Sequence, residues 1–489
     1  MIRFDFKAPF VRPALALVAL VGASAAWTSR APAQSAQATS KVSTSKDRTE
    51  VSITVYNSDF GLVREVRDLD LAPGRVALEF RDVASQIQPE TVSIKGPTAD
   101  SLRVFEQNYR YDLLSPETLL NKYVGKKVRV YRWNQQLGKE DAFDAEVLSV
   151  NGGQPVLKMG NEITYGFPGR FAFPEVPANL IAKPTLVWML DAKQAKQQVE
   201  VNYLTHGLGW KADYVLSLDE TDTKGDLQGW VTLTNHSGTS FEGARLKLVA
   251  GDVNRVRPSY PGYYGLPMGG AYAKAEAPAF REEGLFEYHL YTLSQPTDVL
   301  NNEQKQVSLL EAKGIAIDKK LIFYGQQYWF RSSYGQVSSN QKIGVYLDIV
   351  NAEKNHLGMP LPKGIVRVYK ADKSGNKQFV GEDNIDHTPR DEKVRVKMGD
   401  AFDVVGDRKQ MSWKGFGSCT SESEWEISLR NHKDAAVVVE DVEPIGGDWE
   451  VLSESQPHQK KDAFTFTYDV KIPAKGETKV KYRVRVKWC

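Results

Sequence analysis

Cysteine, histidine, uncompensated charge and long apolar runs are all scarce in this chain. Its two cysteines leave room for one disulfide, Cys419 to Cys489; sequence leaves the pairing open, because it does not reveal whether the two Cα atoms come within about 7 Å. Seven scattered histidines form no His-Glu-x-x-His motif, and Cys-x-x-Cys, a nucleophile elbow and a phosphate loop are missing as well. With 63 basic against 61 acidic residues, the chain lacks the basic surplus that releases counterions from nucleic acid, and no nucleic-acid partner is expected. The apolar run from Ala14 to Ala26 is shorter than the roughly twenty residues a membrane helix needs.

That short run has another use. Arg3, Lys7 and Arg12 precede it, and Ala31-Pro32-Ala33 follows it as a small-x-small site, the pattern of a secretory signal peptide over residues 1–33. Cleavage after Ala33 or after Ala25 fits. No cysteine follows the apolar run and no twin arginine precedes it, so the expected product is periplasmic or secreted, with neither membrane span nor lipid anchor. Removing the segment takes away four basic residues and one acidic one, leaving acid ahead by one.

What the chain has in plenty is two-residue alternation. Residues 34–48, rich in Ser, Thr, Gln, Ala and Lys, read as a flexible leader. From Val51, Ile53 and Val55 onward apolar side chains recur at every second position, as in Val76, Leu78 and Phe80. The predicted fold is mainly β and multi-domain. It comprises a small N-terminal β domain over 49–112, a small β-barrel-like domain over 113–190 and a β-sandwich over 191–350. A C-terminal β-sandwich follows over 351–489. In the second unit Ser115 caps a short helix with Pro116 in its first turn, and Asn151-Gly152-Gly153 forms a hairpin turn. Residues 255–284, crowded with Tyr, Pro and Gly, read as a loop inserted in the first sandwich. The clearest strand is the last, where Val480, Tyr482, Val484, Val486 and Trp488 alternate with Lys479, Lys481, Arg483, Arg485 and Lys487.

Candidate chemistry is thin. Glu382, Asp383, Asp386, His387, Asp391 and Glu392 crowd around Pro389. Carboxylates beside an imidazole suit a hard cation or an acid/base pair; without a metal-loop spacing, a polar turn is the favoured reading and no cofactor or metal is expected. Tyr260, Tyr263, Tyr264 and Tyr272 are candidate binding residues, since tyrosines give large contact area at low entropic cost. The basic side of the last strand could draw acidic polysaccharide or lipid phosphate, although such a row is more often a solvated sheet face. Trp210, Trp230, Trp413, Trp425 and Trp449 lie in strand-like patterns that suit either a core or a sugar-binding face. Asn235-His236-Ser237 is a glycan acceptor only in a eukaryotic secretory pathway.

Three runs in the C-terminal half carry a resemblance: Gly364–Tyr369, Phe379–Pro389 and Ala401–Gly406. With Tyr203–Tyr214 and Val231–Asn235, they make roughly residues 195–489 similar to a bacterial family of exported proteins known mainly as a domain of unknown function. Mucoidy-inhibitor-like proteins carry a related domain. Val55-Tyr56-Asn57 and Ser58–Val63 resemble the first strands of that family. Its mucoidy-inhibitor-like members separate their two β parts by a coiled coil, and no heptad run is present here. The resemblance implies a β-rich, extracytoplasmic bacterial envelope protein, disfavours glycosylation at Asn235, and carries over no catalytic residue. The expected function is therefore non-enzymatic binding or scaffolding of an envelope protein or polysaccharide. The alternative is a metal-dependent or acid/base hydrolase of an envelope polymer, using Glu382, Asp386, His387 and Asp391.

Overall fold

A computed structural model describes residues 39–151, 154–177, 180–251, 253–254 and 280–489. The expected signal peptide, the Gly152-Gly153 turn and Tyr260, Tyr263, Tyr264 and Tyr272 lie outside the described residues. The described chain is mainly β and folds as several sheets, none of them closed into a barrel. Pro116–Lys122 is the one α-helix among the described residues, with Thr118 N–H donating to the Ser115 side chain at its start.

The first sheet orders four strands as Thr39–Ser43, Gly74–Arg81, Thr185–Ala192 and Leu102–Arg110. Its first member corrects the leader reading, because Thr39–Ser43 pairs in parallel with Gly74–Arg81. Composition misleads there: an edge strand can be held by its ladder of backbone hydrogen bonds while its side chains stay polar. Thr44 then caps a short turn, and its own N–H donates to Asp47 Oδ2 at 2.8 Å.

An eight-stranded mixed sheet joins distant parts of the chain. Phe241–Ala250 lies in parallel beside Arg48–Tyr56, and Phe60–Asp70 pairs with Lys196–His206. The segments expected as separate units before and after residue 190 therefore share one core, from Val51 through Tyr203 to Val396. Phe280–Leu285, placed by sequence at the end of the inserted loop, is a strand of this sheet, and Phe280 is fully buried.

Residues 113–184 emerge between the paired strands Leu102–Arg110 and Thr185–Ala192 and return to them. This insertion has its own small core around Val128, Val130, Val147 and Leu157. Its five-stranded sheet stays open, contrary to the barrel expectation. The edge strands Glu162–Tyr165 and Arg170–Ala172 are too short to complete a barrel wall, and Leu119, Leu120 and Tyr123 at the helix pack on the core instead.

The C-terminal core lies within a nine-stranded sheet that curls over Trp425, Phe466, Tyr468 and Tyr482. Alternation decides which side faces in: Val480, Tyr482, Val484 and Val486 are buried, and the intervening cations are exposed. Buried asparagines close the strand ends. Asn235 Nδ2 donates to the carbonyls of Thr239 and Val299, and Asn431 Nδ2 to those of Ala435 and Pro473.

Candidate functional site

The acidic run around Pro389 is pulled apart by the fold. Glu382 pairs with Arg367 at 3.1 Å. Asp383 accepts the backbone N–H groups of Lys397 and Asn384 at 2.7 and 2.9 Å. Lys363 N–H donates to His387 Nδ1 at 3.2 Å, Asp386 is exposed, and Asp391 turns the chain with φ 64° beside Arg390. Buried Asn351 fastens the turn, its Nδ2 donating to the carbonyls of Met359 and Pro389 at 2.9 Å each. Among the described residues, no three His, Cys, Asp or Glu side chains come together as a metal site. Glu382 thus sits on the strand Lys377–Ile385, while Asp386, His387 and Asp391 lie in the polar turn that follows it.

The basic row of the last strand is matched by acids. Gly476–Lys487 lies between Asp448–Glu454 and Thr420–Asn431 and is not an edge. Arg483 and Arg485 both pair with Glu422, Lys479 and Lys481 with Glu426. Hydrogen bonds from Arg485 and Arg483 hold Glu422 below the usual carboxylate range. Asn235 is buried and both sides of its amide are engaged, leaving no exposed acceptor for a glycan. Of the tryptophans, Trp210 and Trp425 are core, while Trp230, Trp413 and Trp449 are half-buried.

One segment combines exposed aromatic rings with a rigid mount. Residues 325–335 run between two glycines, with Gln327–Arg331 as a short 3-10 turn. Trp329 and Phe330 turn inward against Trp425, with ring centroids 6.4 and 5.5 Å away. Tyr328 and Tyr334 turn outward, 54% and 44% exposed, with their rings 6.1 Å apart. Arg331, also exposed, stacks 4.5 Å over Trp488.

The ties that hold this loop come from strands on the sandwich. Gln410, nearly buried, donates its amide to the carbonyls of Trp329 and Ser332 at 3.3 and 3.0 Å, and accepts the Tyr334 N–H at 2.7 Å. Ser421 Oγ and Trp413 Nε1 both donate to the Phe330 carbonyl, at 3.0 and 3.3 Å. Each tie contributes about 1 kcal/mol net, and the burial of Trp329 and Phe330 adds to it. Gly335, at φ +75°, closes the segment in the left-handed region that favours glycine. A disulfide joins Cys419 to Cys489, with Cα atoms 5.8 Å apart, and Trp488 N–H donates to the Cys419 carbonyl, so the support of Arg331 is itself anchored.

Directly beneath lies a fully buried group of charges. Arg408 sends one guanidinium nitrogen to both Asp441 Oδ1 and Glu443 Oε1, each 2.7 Å away. Another donates to the Tyr324 carbonyl at 3.1 Å, and the guanidinium stacks 4.4 Å from Phe323 and 5.1 Å from Trp329. Gly325 leaves room for the acids: a Cβ there would stand 2.5 Å from Glu443 Oε2. Burial, followed by the charge of Glu443, pushes Asp441 well above its ordinary range, and burial raises Glu443.

Neither the loop nor the buried acids was singled out in the sequence reading, yet both left signals. Gly325 to Gly335 encloses Tyr328, Trp329, Phe330 and Tyr334, and Asp441 and Glu443 occupy the inward positions that Val437 and Val439 begin.

Fold and site define a mainly β, multi-sheet protein that presents an aromatic loop braced by one end of its C-terminal core. Residues 199–489 match the family described as a domain of unknown function (DUF4139), and the chain belongs to that family. The match includes the loop, the disulfide and the buried charges. No curated protein matches the chain.

Proposed function

We propose that this protein is an exported, non-catalytic bacterial envelope component that binds envelope polysaccharide through the loop at 325–335. The observation that carries this reading is the pinned loop: Tyr328 and Tyr334 project outward while Trp329 and Phe330 anchor it, so the rings are presented with little left to order on binding. Sugar rings stack on tyrosine faces, and Arg331 offers donors to hydroxyl or carboxylate groups. The signal-peptide pattern of residues 1–33 supports export, and a Cys419–Cys489 disulfide suits an oxidising compartment.

Co-sedimentation with protease-treated envelope polysaccharide tests it, using the full chain, a Tyr328→Ala/Tyr334→Ala double variant and Trp230→Ala as a control. The expected result is at least a tenfold weaker association for the double variant and no weakening for the control. Association that is absent, or unchanged in the double variant, overturns the reading; so does association that requires envelope protein.

A further inference from the structure

The buried group under the loop does not balance as ordinary charges. Arg408 supplies one positive charge, Asp441 and Glu443 would supply two negative ones, and all three side chains are fully buried. Removing a charge from water without a partner costs several kcal/mol, so the surplus charge must be cancelled. The other groups facing the pair offer no second cation. They are Tyr482 from Gly476–Lys487, Tyr468 from Thr465–Ile472 and the Tyr324 carbonyl. Beyond Tyr468, its hydroxyl donates to Glu454, which also pairs with His458.

The geometry shows where a neutralising proton fits. Arg408 occupies Oδ1 of Asp441 and Oε1 of Glu443, and the remaining Oδ2 and Oε2 have no well-formed hydrogen bond, with the Tyr482 hydroxyl facing Glu443. The two carboxyl groups come within hydrogen-bonding reach of each other. They stand two apart on one strand, hence on one face. Two carboxylates at that separation repel; a carboxylic acid and a carboxylate form a strong hydrogen bond.

We propose that Asp441 and Glu443 hold one proton between them, and that Arg408 transmits its presence to the loop through the Tyr324 carbonyl and the face of Trp329. With the proton in place, Arg408, one carboxylate and one carboxylic acid sum to zero charge. Its loss leaves a second negative charge in the core, forces the carboxyl groups apart and draws Arg408 away from one of its present partners. The loop's lower attachment moves with it. The shared proton stands independently of the binding reading; control of the binding loop rests on that reading.

Two measurements on the full chain separate these claims. Infrared difference spectra of wild type against Glu443→Gln and Asp441→Asn should show, at neutral pH, a buried protonated-carboxyl band that either substitution alters. Hydrogen exchange of residues 325–335, corrected for the intrinsic effect of pH, should accelerate at least tenfold in wild type as the proton is lost, and stay flat in Glu443→Gln, which keeps a donor without a second charge. Absence of the band, or a band unchanged in both single variants, overturns the shared proton. A band without pH-dependent loop exchange overturns the link to the loop. If both signals appear while polysaccharide fails to sediment with the protein, the proton device stands and the binding reading falls.

Discussion

Among the described residues two arginines are fully buried, one in each large core, and their charge balance differs: Glu65 beside Arg67 is also approached by Arg48 at 4.0 Å, whereas Arg408 faces two acids. In the N-terminal core Arg67 stacks 3.4 Å over Phe80 and donates to Glu65 at 2.7 Å, to the Arg81 carbonyl at 2.9 Å and to Ser43. Tyr203 donates to the other Glu65 oxygen at 3.2 Å. In the C-terminal core Arg408 likewise has an aromatic face, a carbonyl and a nearby tyrosine, but two acids. The first group has one acid shared by two cations and no surplus negative charge. The second has acceptor oxygens left over and sits under the exposed loop, so the same parts become sensitive to a proton.

Neutralising one acid in each core should separate them most. Glu65→Gln strands Arg67 without its close countercharge, and a broken buried pair costs about 3–5 kcal/mol. Glu443→Gln leaves Arg408 paired with Asp441, and its expected change at neutral pH is within about 1 kcal/mol, of either sign. Urea denaturation of both variants measures the contrast; equal losses would erase it. Next in size is the disulfide. Cys419→Ser/Cys489→Ser should lower stability by about 2–4 kcal/mol, with faster hydrogen exchange around Trp488 and residues 325–335 and unchanged exchange around Arg67.

The tyrosines give a smaller contrast. Tyr203→Phe removes a hydrogen bond to a buried carboxylate and should cost about 1.5–3 kcal/mol. Tyr482→Phe should cost less, since its hydroxyl faces Glu443 without a well-formed hydrogen bond. The smallest effect is expected at the polar turn. Asp386 is exposed, and Asp386→Asn should change thermal stability by no more than about 0.5 kcal/mol. A larger loss in that variant would show the turn to be more than a connection.

Strands were legible because alternation is local: Val51, Ile53 and Val55, or Val480 to Val486, announce their buried side within a few residues. Their partners were not legible. Nothing near Arg48–Tyr56 indicates that it will lie beside Phe241–Ala250, and Thr39–Ser43 is a strand only because Gly74–Arg81 supplies its ladder. The chemistry followed the same division. Charges clustered in sequence, as around Pro389, are easy to see, and the fold spreads them over a strand and the turn that follows it. The group of most consequence brings Arg408 to acids 33 and 35 positions away. The candidate tyrosines at 260–272 fall outside the described residues, and the braced loop carries its inward and outward rings without a regular period, so no alternation marks it.

The most direct test of the shared proton is the pH dependence of unfolding free energy in wild type and Glu443→Gln. A buried acid raised above its unfolded value binds a proton in the native state that the unfolded chain has released. Stability from that proton is complete below the unfolded carboxyl range, near about pH 4, and is lost as pH rises through the folded value. Within that window the wild-type folding constant should fall about tenfold per pH unit relative to Glu443→Gln. Parallel pH profiles for the two proteins would contradict the account.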